Sequence, residues 1–122
     1  MTHKECVETL WKAFDEQRWD DAGLVLDDGF IADWVVTNER LDKTNFLNVN
    51  RNYPGKWHTE LQHFEQTETG GVSVVHVYAL DNQARFYAVT FYKFKGNKIS
   101  HIQEYWSTVE HAPEWRKEYG QL

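Results

Sequence analysis

From Trp57 to Thr108 apolar residues recur with a period close to two, in four runs separated by short turns. The pattern predicts strands over Trp57–Thr67, Val72–Leu80, Arg85–Lys95 and Lys98–Thr108. The turns fall at Glu68-Thr69-Gly70-Gly71, Asp81-Asn82-Gln83-Ala84 and Gly96-Asn97. Strands joined by connections this short must run antiparallel to their neighbours. Four of them in succession commit the second half of the chain to a meander.

The first half has a different rhythm. Thr2-His3-Lys4-Glu5 fits a capping box, with Thr2 as N-cap and Glu5 reaching back. Cys6, Val7, Leu10, Trp11 and Phe14 follow at helical spacing, and this helix should end near Gln17 or Arg18. Asp20 is placed to cap a short second helix carrying Ala22, Leu24, Val25 and Leu26, and Asp27-Asp28-Gly29 reads as a break. Phe30–Thr37 has strand composition. Asp42 is placed to cap a third helix that stops at Tyr53-Pro54-Gly55, and Pro113-Glu114-Trp115-Arg116 reads as a helical turn. Helices gathered before a meander define an α+β fold, a curved antiparallel sheet wrapped around N-terminal helices into a cone with room for a cavity.

At 122 residues the chain has length for one domain, 1–122, and too little for two. Six Trp, six Tyr and seven Phe give it a wide, aromatic core. A net charge of −6 argues against nucleic acid or an anionic membrane as partner. No apolar run is long enough to span a bilayer, and Met1–Glu5 leads straight into a helical pattern, so no signal peptide is expected. With Cys6 the only cysteine there is no disulfide framework, and a cytoplasmic location is the default.

Two acids stand out because they interrupt apolar strands. Glu104 lies between Ile102 and Trp106, and Asp33 falls within Phe30-Ile31-Ala32-Asp33-Trp34-Val35-Val36. A carboxylate on a buried face is costly unless paired, hydrogen-bonded or protonated, so both are expected to look into one shared cavity. A two-residue turn at Gly96-Asn97 would set Val89 opposite Glu104 and Phe91 opposite Ile102. A bulged turn, with Asn97 left-handed, would set Ala88 opposite Glu104 and Thr90 opposite Ile102, and this register is preferred.

The chain resembles the SnoaL-like group of the nuclear transport factor 2-like superfamily. The element order matches throughout. Local matches are Leu26–Trp34, Asn38-Glu39-Arg40-Leu41, Asn52-Tyr53-Pro54-Gly55, Gly96-Asn97-Lys98-Ile99, Glu104-Tyr105-Trp106 and Ala112-Pro113-Glu114-Trp115-Arg116. The resemblance implies a cone-shaped α+β barrel of the cystatin-like kind. It places Asp33 where ketosteroid isomerases of the superfamily carry their proton-shuttling carboxylate, and Thr90 inside the cavity. It also places Leu10 and Thr90 where those isomerases carry an oxyanion tyrosine and a second acid, so that activity is not expected here. The fold alone decides little about function.

The candidate catalytic residues are therefore Asp33, Glu104 and His76. Trp34, Trp57, Tyr78, Thr90, Trp106 and Trp115 are candidates to shape a ligand pocket. Against these stand structural readings: Asp33 bonded to backbone or to a tail residue such as Trp115 or Arg116, Glu104 reaching water or a basic partner such as Arg116, His76 satisfied in the core, and the tryptophans filling an oversized core or a dimer interface. His58 and His63 lie five apart and should point to opposite faces, so they cannot chelate. No metal site or cofactor is expected. The partner expected is a small hydrophobic molecule. A homodimer is expected through the outer sheet face, which should carry Val89, Phe91, Ile99, His101 and Tyr105, with Lys93 and Lys95 at its rim. Two functions remain open, a proton-transfer enzyme (isomerase, dehydratase, cyclase or hydrolase type) and a non-catalytic binding or dimerisation module.

Overall fold

The structure, a computed structural model, describes residues 1–81 and 83–120. Helices α1 (His3–Asp15) and α2 (Trp19–Leu24) lead into strand β1 (Leu26–Trp34). A short β2 (Glu39–Asp42) and helix α3 (Lys43–Arg51) come before β3 (Trp57–Gln66), β4 (Gly71–Ala79), β5 (Arg85–Lys95) and β6 (Lys98–Thr108). A 3-10 helix, Glu114–Tyr119, closes the chain. The strands form one curved sheet in the order β2-β1-β6-β5-β4-β3.

The capping box forms as expected. Glu5 N–H donates to Thr2 Oγ1 (3.1 Å) and Thr2 N–H to Glu5 Oε1 (2.8 Å). The α1 stripe of Cys6, Val7, Leu10, Trp11 and Phe14 is buried beneath the concave face of the sheet. Asp42 caps α3 by accepting from Asn45 N–H (2.9 Å). Asp20 does not cap α2. Arg18 holds that position without a side-chain capping bond, and Asp20 and Asp21 lie in the first turn, where their charge favours the helix dipole.

The sheet is mixed, because β1 runs parallel to β6 and is linked to it through the whole chain between them rather than by a turn. The Asp27-Asp28-Gly29 break becomes a bulge within β1, where the register against β6 shifts between Leu26 and Ile31. Strand β1 ends at Trp34 rather than Thr37. Asn38 takes a left-handed conformation (φ 57) in the turn to β2, a strand too polar to have shown a pattern.

The last hairpin does have a two-residue turn. Gly96, not Asn97, supplies the positive φ (61), and Lys95 pairs with Lys98. Ser100 then bulges out of β6, so Lys93 pairs with His101. From there Tyr92 faces Ile102, Thr90 faces Glu104 and Ala88 faces Trp106. Neither expected register is the observed one, although the preferred register put Ala88, Thr90 and Glu104 on the correct common face. The bulge also carries Ile99 to the inside, where it is fully buried, rather than to the outer face. A second bulge between Leu61 and His63 places His58 and His63 on the same outer face, opposite Tyr78 and Val74.

Candidate functional site

The inner face of the sheet is built by alternation. Phe30, Ala32 and Trp34 of β1, Ser73, Val75 and Val77 of β4, Ala88, Thr90 and Tyr92 of β5, and Ile102 and Glu104 of β6 are buried. Beside α1 and α3 this face leaves a cavity of about 90 Å3. Its walls are mostly aromatic: Trp11 and Phe14 from α1, Trp19 from α2, and Trp57, Phe86 and Trp106 from the sheet. Gln17, Asn50, Arg51, Tyr53 and Gly55 form its mouth, where the end of α1 meets the α3–β3 connection. Glu104 also lines it, 2% exposed.

Both oxygens of Glu104 are held. The Trp34 indole N–H donates to Oε1 (2.8 Å) and the Thr90 hydroxyl donates to Oε2 (2.7 Å). Burial raises its carboxyl from 4.5 to about 7, against the opposing pull of the Thr90 and Trp34 hydrogen bonds. A group titrating there is half ionised near neutrality, the range in which an acid–base catalyst works best. Behind Thr90 lies a second polar chain. The Trp11 indole N–H donates to the Tyr92 hydroxyl (2.7 Å), which shares a hydrogen bond with Ser73 Oγ (2.7 Å), and burial pushes the Tyr92 phenol up.

Of the residues singled out in the sequence, Glu104, Trp57 and Trp106 line the cavity, and Trp34 and Thr90 stand directly behind Glu104. The others lie elsewhere. Asp33 is on the outer face, because Phe30, Ala32 and Trp34 take the inward positions of β1. Arg40 grips it through Nε (2.7 Å) and a terminal nitrogen (3.0 Å), and His101 Nε2 lies 2.8 Å from Oδ2. Hydrogen bonds from Arg40, then His101, hold its carboxyl down at about 2. The two acids therefore share no hollow, and Asp33 is ion-paired to Arg40 rather than to Arg116 or Trp115.

His76 and Tyr78 are also outside, since Ser73, Val75, Val77 and Ala79 take the inward positions of β4. His76 Nδ1 bonds Glu60 Oε1 (2.8 Å), and the two rings stack on each other (5.1 Å). Trp115 is 73% exposed on the 3-10 helix, with Arg116 over its own ring. Cys6 donates its thiol to the Asn97 carbonyl (2.6 Å), and no group of three metal-type ligands occurs among the described residues.

The sequence reading did not assign Trp11, Phe14, Trp19, Phe46 and Phe86 to the cavity. A signal was present in α1, where the apolar stripe ends in Trp11 and Phe14, side chains too large for close helix–sheet packing without a gap.

A curved sheet wrapped around helices is the fold of the nuclear transport factor 2-like proteins, and this chain has that fold. It superposes with a TM-score of 0.84 on a suggested ketosteroid isomerase from Kribbella flavida DSM 17836, at 16% identity over 98% of this chain and 88% of the other. It matches an NTF-2 like protein of unknown function from Burkholderia xenovorans LB400 with a TM-score of 0.80, at 23% identity over 98% and 94%. An LEH-like epoxide hydrolase of M. tuberculosis gives 0.72, at 12% identity over 84% and 80%. No protein-family model matches the sequence, and no curated protein does.

Proposed function

We propose that the chain is a small-molecule domain whose cavity performs acid–base chemistry, with Glu104 as the group that exchanges a proton with the bound molecule. The observation that carries this reading is the position of Glu104: buried, lining an apolar cavity, oriented at both oxygens and balanced near neutrality. Trp34 and Thr90 are positioning residues, and the aromatic walls exclude water and take the apolar body of the ligand. Enzymes of isomerase and hydrolase type occur among the structural neighbours, which fits this reading. The fold alone does not decide it.

The second reading is a binding module. It is favoured by the lining itself, in which Arg51 and Tyr53, both at the mouth, are the only other ionisable side chains among the described residues. Among the described residues no second acid lines the cavity to stabilise a developing charge. Carbon-13 NMR of the Glu104 carboxyl tests the proposal. Titration near 7, coupled to a signal from a molecule in the cavity, supports acid–base function. Titration as an ordinary surface carboxylate refutes it.

The outer face of the sheet is assigned to a second copy of the chain, in the same setting that a single free thiol suggests, the cytoplasm. Phe91 (48% exposed) and Tyr105 (38%) form an apolar pair there, with rings 6.2 Å apart. Arg40 is exposed beside β1 and Glu60 beside β4, at opposite sides of this face. No helix among the described residues is long and apolar enough to cross a membrane.

A further inference from the structure

We infer that the molecule this cavity accepts carries a small basic amine, held as its ammonium between indole faces and the Glu104 carboxylate. This rests on the reading of the cavity as a small-molecule site and names the ligand class.

The first ground is a missing charge. Glu104 is buried with two neutral donors, and no Lys, Arg or His among the described residues pairs with it. Buried carboxylates are ordinarily matched by a cation. Here the protein leaves that place to whatever enters.

The second ground is the nature of the walls. A continuous run of ring contacts leads from Trp34 beside Glu104 through Trp106 (5.7 Å), Phe86 (4.8 Å) and Trp57 (5.4 Å) to Tyr53 at the mouth (5.5 Å). Indole faces carry negative potential and attract organic cations. The N–H groups of Trp11 and Trp57 are already committed, to Tyr92 and to the Pro54 carbonyl (2.6 Å). These two walls therefore offer π surface rather than donors, which suits a cation and not an anion.

The third ground is size. The cavity, about 90 Å3, is smaller than an apolar cavity of about 150 Å3 that binds benzene, and it suits a head of a few heavy atoms. Any longer tail leaves through the mouth past Asn50 and Tyr53.

Binding should strengthen as pH rises through the Glu104 titration, because the carboxylate form is the one that holds the ammonium. The other charged or ionisable groups lining or backing the cavity are Arg51 and Tyr53 at the mouth and Tyr92 behind Thr90.

The test is titration of the full chain with trimethylammonium chloride and with tert-butanol, a neutral probe of nearly the same shape. Tryptophan fluorescence reports binding and carbon-13 NMR reports Glu104. The amine should bind at least about tenfold tighter than the alcohol and should lower the pH at which Glu104 titrates. Glu104→Gln should remove that preference. Should the variant not fold, the displaced titration in the unmodified chain decides alone. Equal binding of the two probes, no binding of either, or a Glu104 titration unmoved by the amine overturns the inference. Glu104 titrating near 7 with no amine binding would overturn only the ligand class. Ordinary titration of Glu104 would overturn the acid–base reading beneath it.

Discussion

Replacing Glu104 by Gln isolates the energetic cost of a buried acid. Gln keeps the shape: its Oε1 accepts from the Trp34 indole and its amide donates to Thr90, whose hydroxyl turns from donor to acceptor. Below pH 4.5 the native carboxyl is neutral in both folded and unfolded chains, so the two proteins should differ little. Between about 4.5 and about 7 the folded chain keeps a proton that the unfolded chain has lost. The folded state then binds more protons, so the free energy of unfolding falls as pH rises. Above about 7 both states are ionised and the full penalty is present. A displacement from 4.5 to about 7, at about 1.4 kcal/mol per pH unit, amounts to about 3 kcal/mol. Set against a typical stability of about 5–15 kcal/mol, this is a large fraction. Urea unfolding of both proteins from acid to alkaline pH measures it, since subtracting one curve from the other removes the remaining titrations. The variant should gain about 3 kcal/mol on the native protein across this range, or a relative midpoint change of about 1–2 M urea. A difference that stays flat with pH would show that Glu104 ionises as freely folded as unfolded, and the reasoning would fail.

Asp33 has the opposite sign. Its depressed carboxyl contributes stability that is present above about 3.8 and lost as pH falls through about 2. With Arg40 mostly in solvent, the contribution is about 1 kcal/mol, measurable as the acid limb of the same unfolding series in Asp33→Asn. That variant should leave the Glu104 titration where it is, and a moved titration would link the two acids after all. Phe46→Ala, removing a ring packed among Phe14, Phe30 and Trp34, should cost about 3–5 kcal/mol in urea unfolding. Gly70→Ala should destabilise by more than a surface substitution normally does, because a Cβ there would stand 1.9 Å from the Tyr92 carbonyl oxygen, a backbone atom that cannot simply swing away. Phe91→Glu should shift a dimer to monomer in sedimentation velocity. A native chain that sediments as a monomer at every concentration would remove the proposed second copy.

The helices were legible because their signals are local. Thr2 with Glu5, and Asp42 before Asn45, satisfy backbone donors within one turn, and no distant residue is needed to see it. The meander was legible because β3 to β6 alternate over long runs. The faces were not, because a bulge reverses alternation without leaving a mark: nothing about Ser100 or Gln62 distinguishes it from a paired residue. Asp33 is a different case. Phe30, Ala32 and Trp34 sit two apart, and that alternation already put Asp33 on the other face. For His76 and Tyr78 no such clue existed, because Val72 and Val74 make the outer face of β4 as apolar as the inner. Strand β2, Glu39-Arg40-Leu41-Asp42, has no apolar alternation to read, and it supplies the guanidinium that claims Asp33.

The single extra residue at Ser100 has a consequence for how such a protein can vary. Four residues, Lys98 to His101, separate the turn from Ile102, one more than the ladder uses, and the bulge takes up the surplus. Deleting Ser100 would therefore leave Glu104 opposite Thr90, whereas drawing Ser100 into the ladder would set Glu104 opposite Val89 and evert the acid into water. The strand can thus lose its slack and keep the carboxyl inside, but it cannot pair every residue and do so.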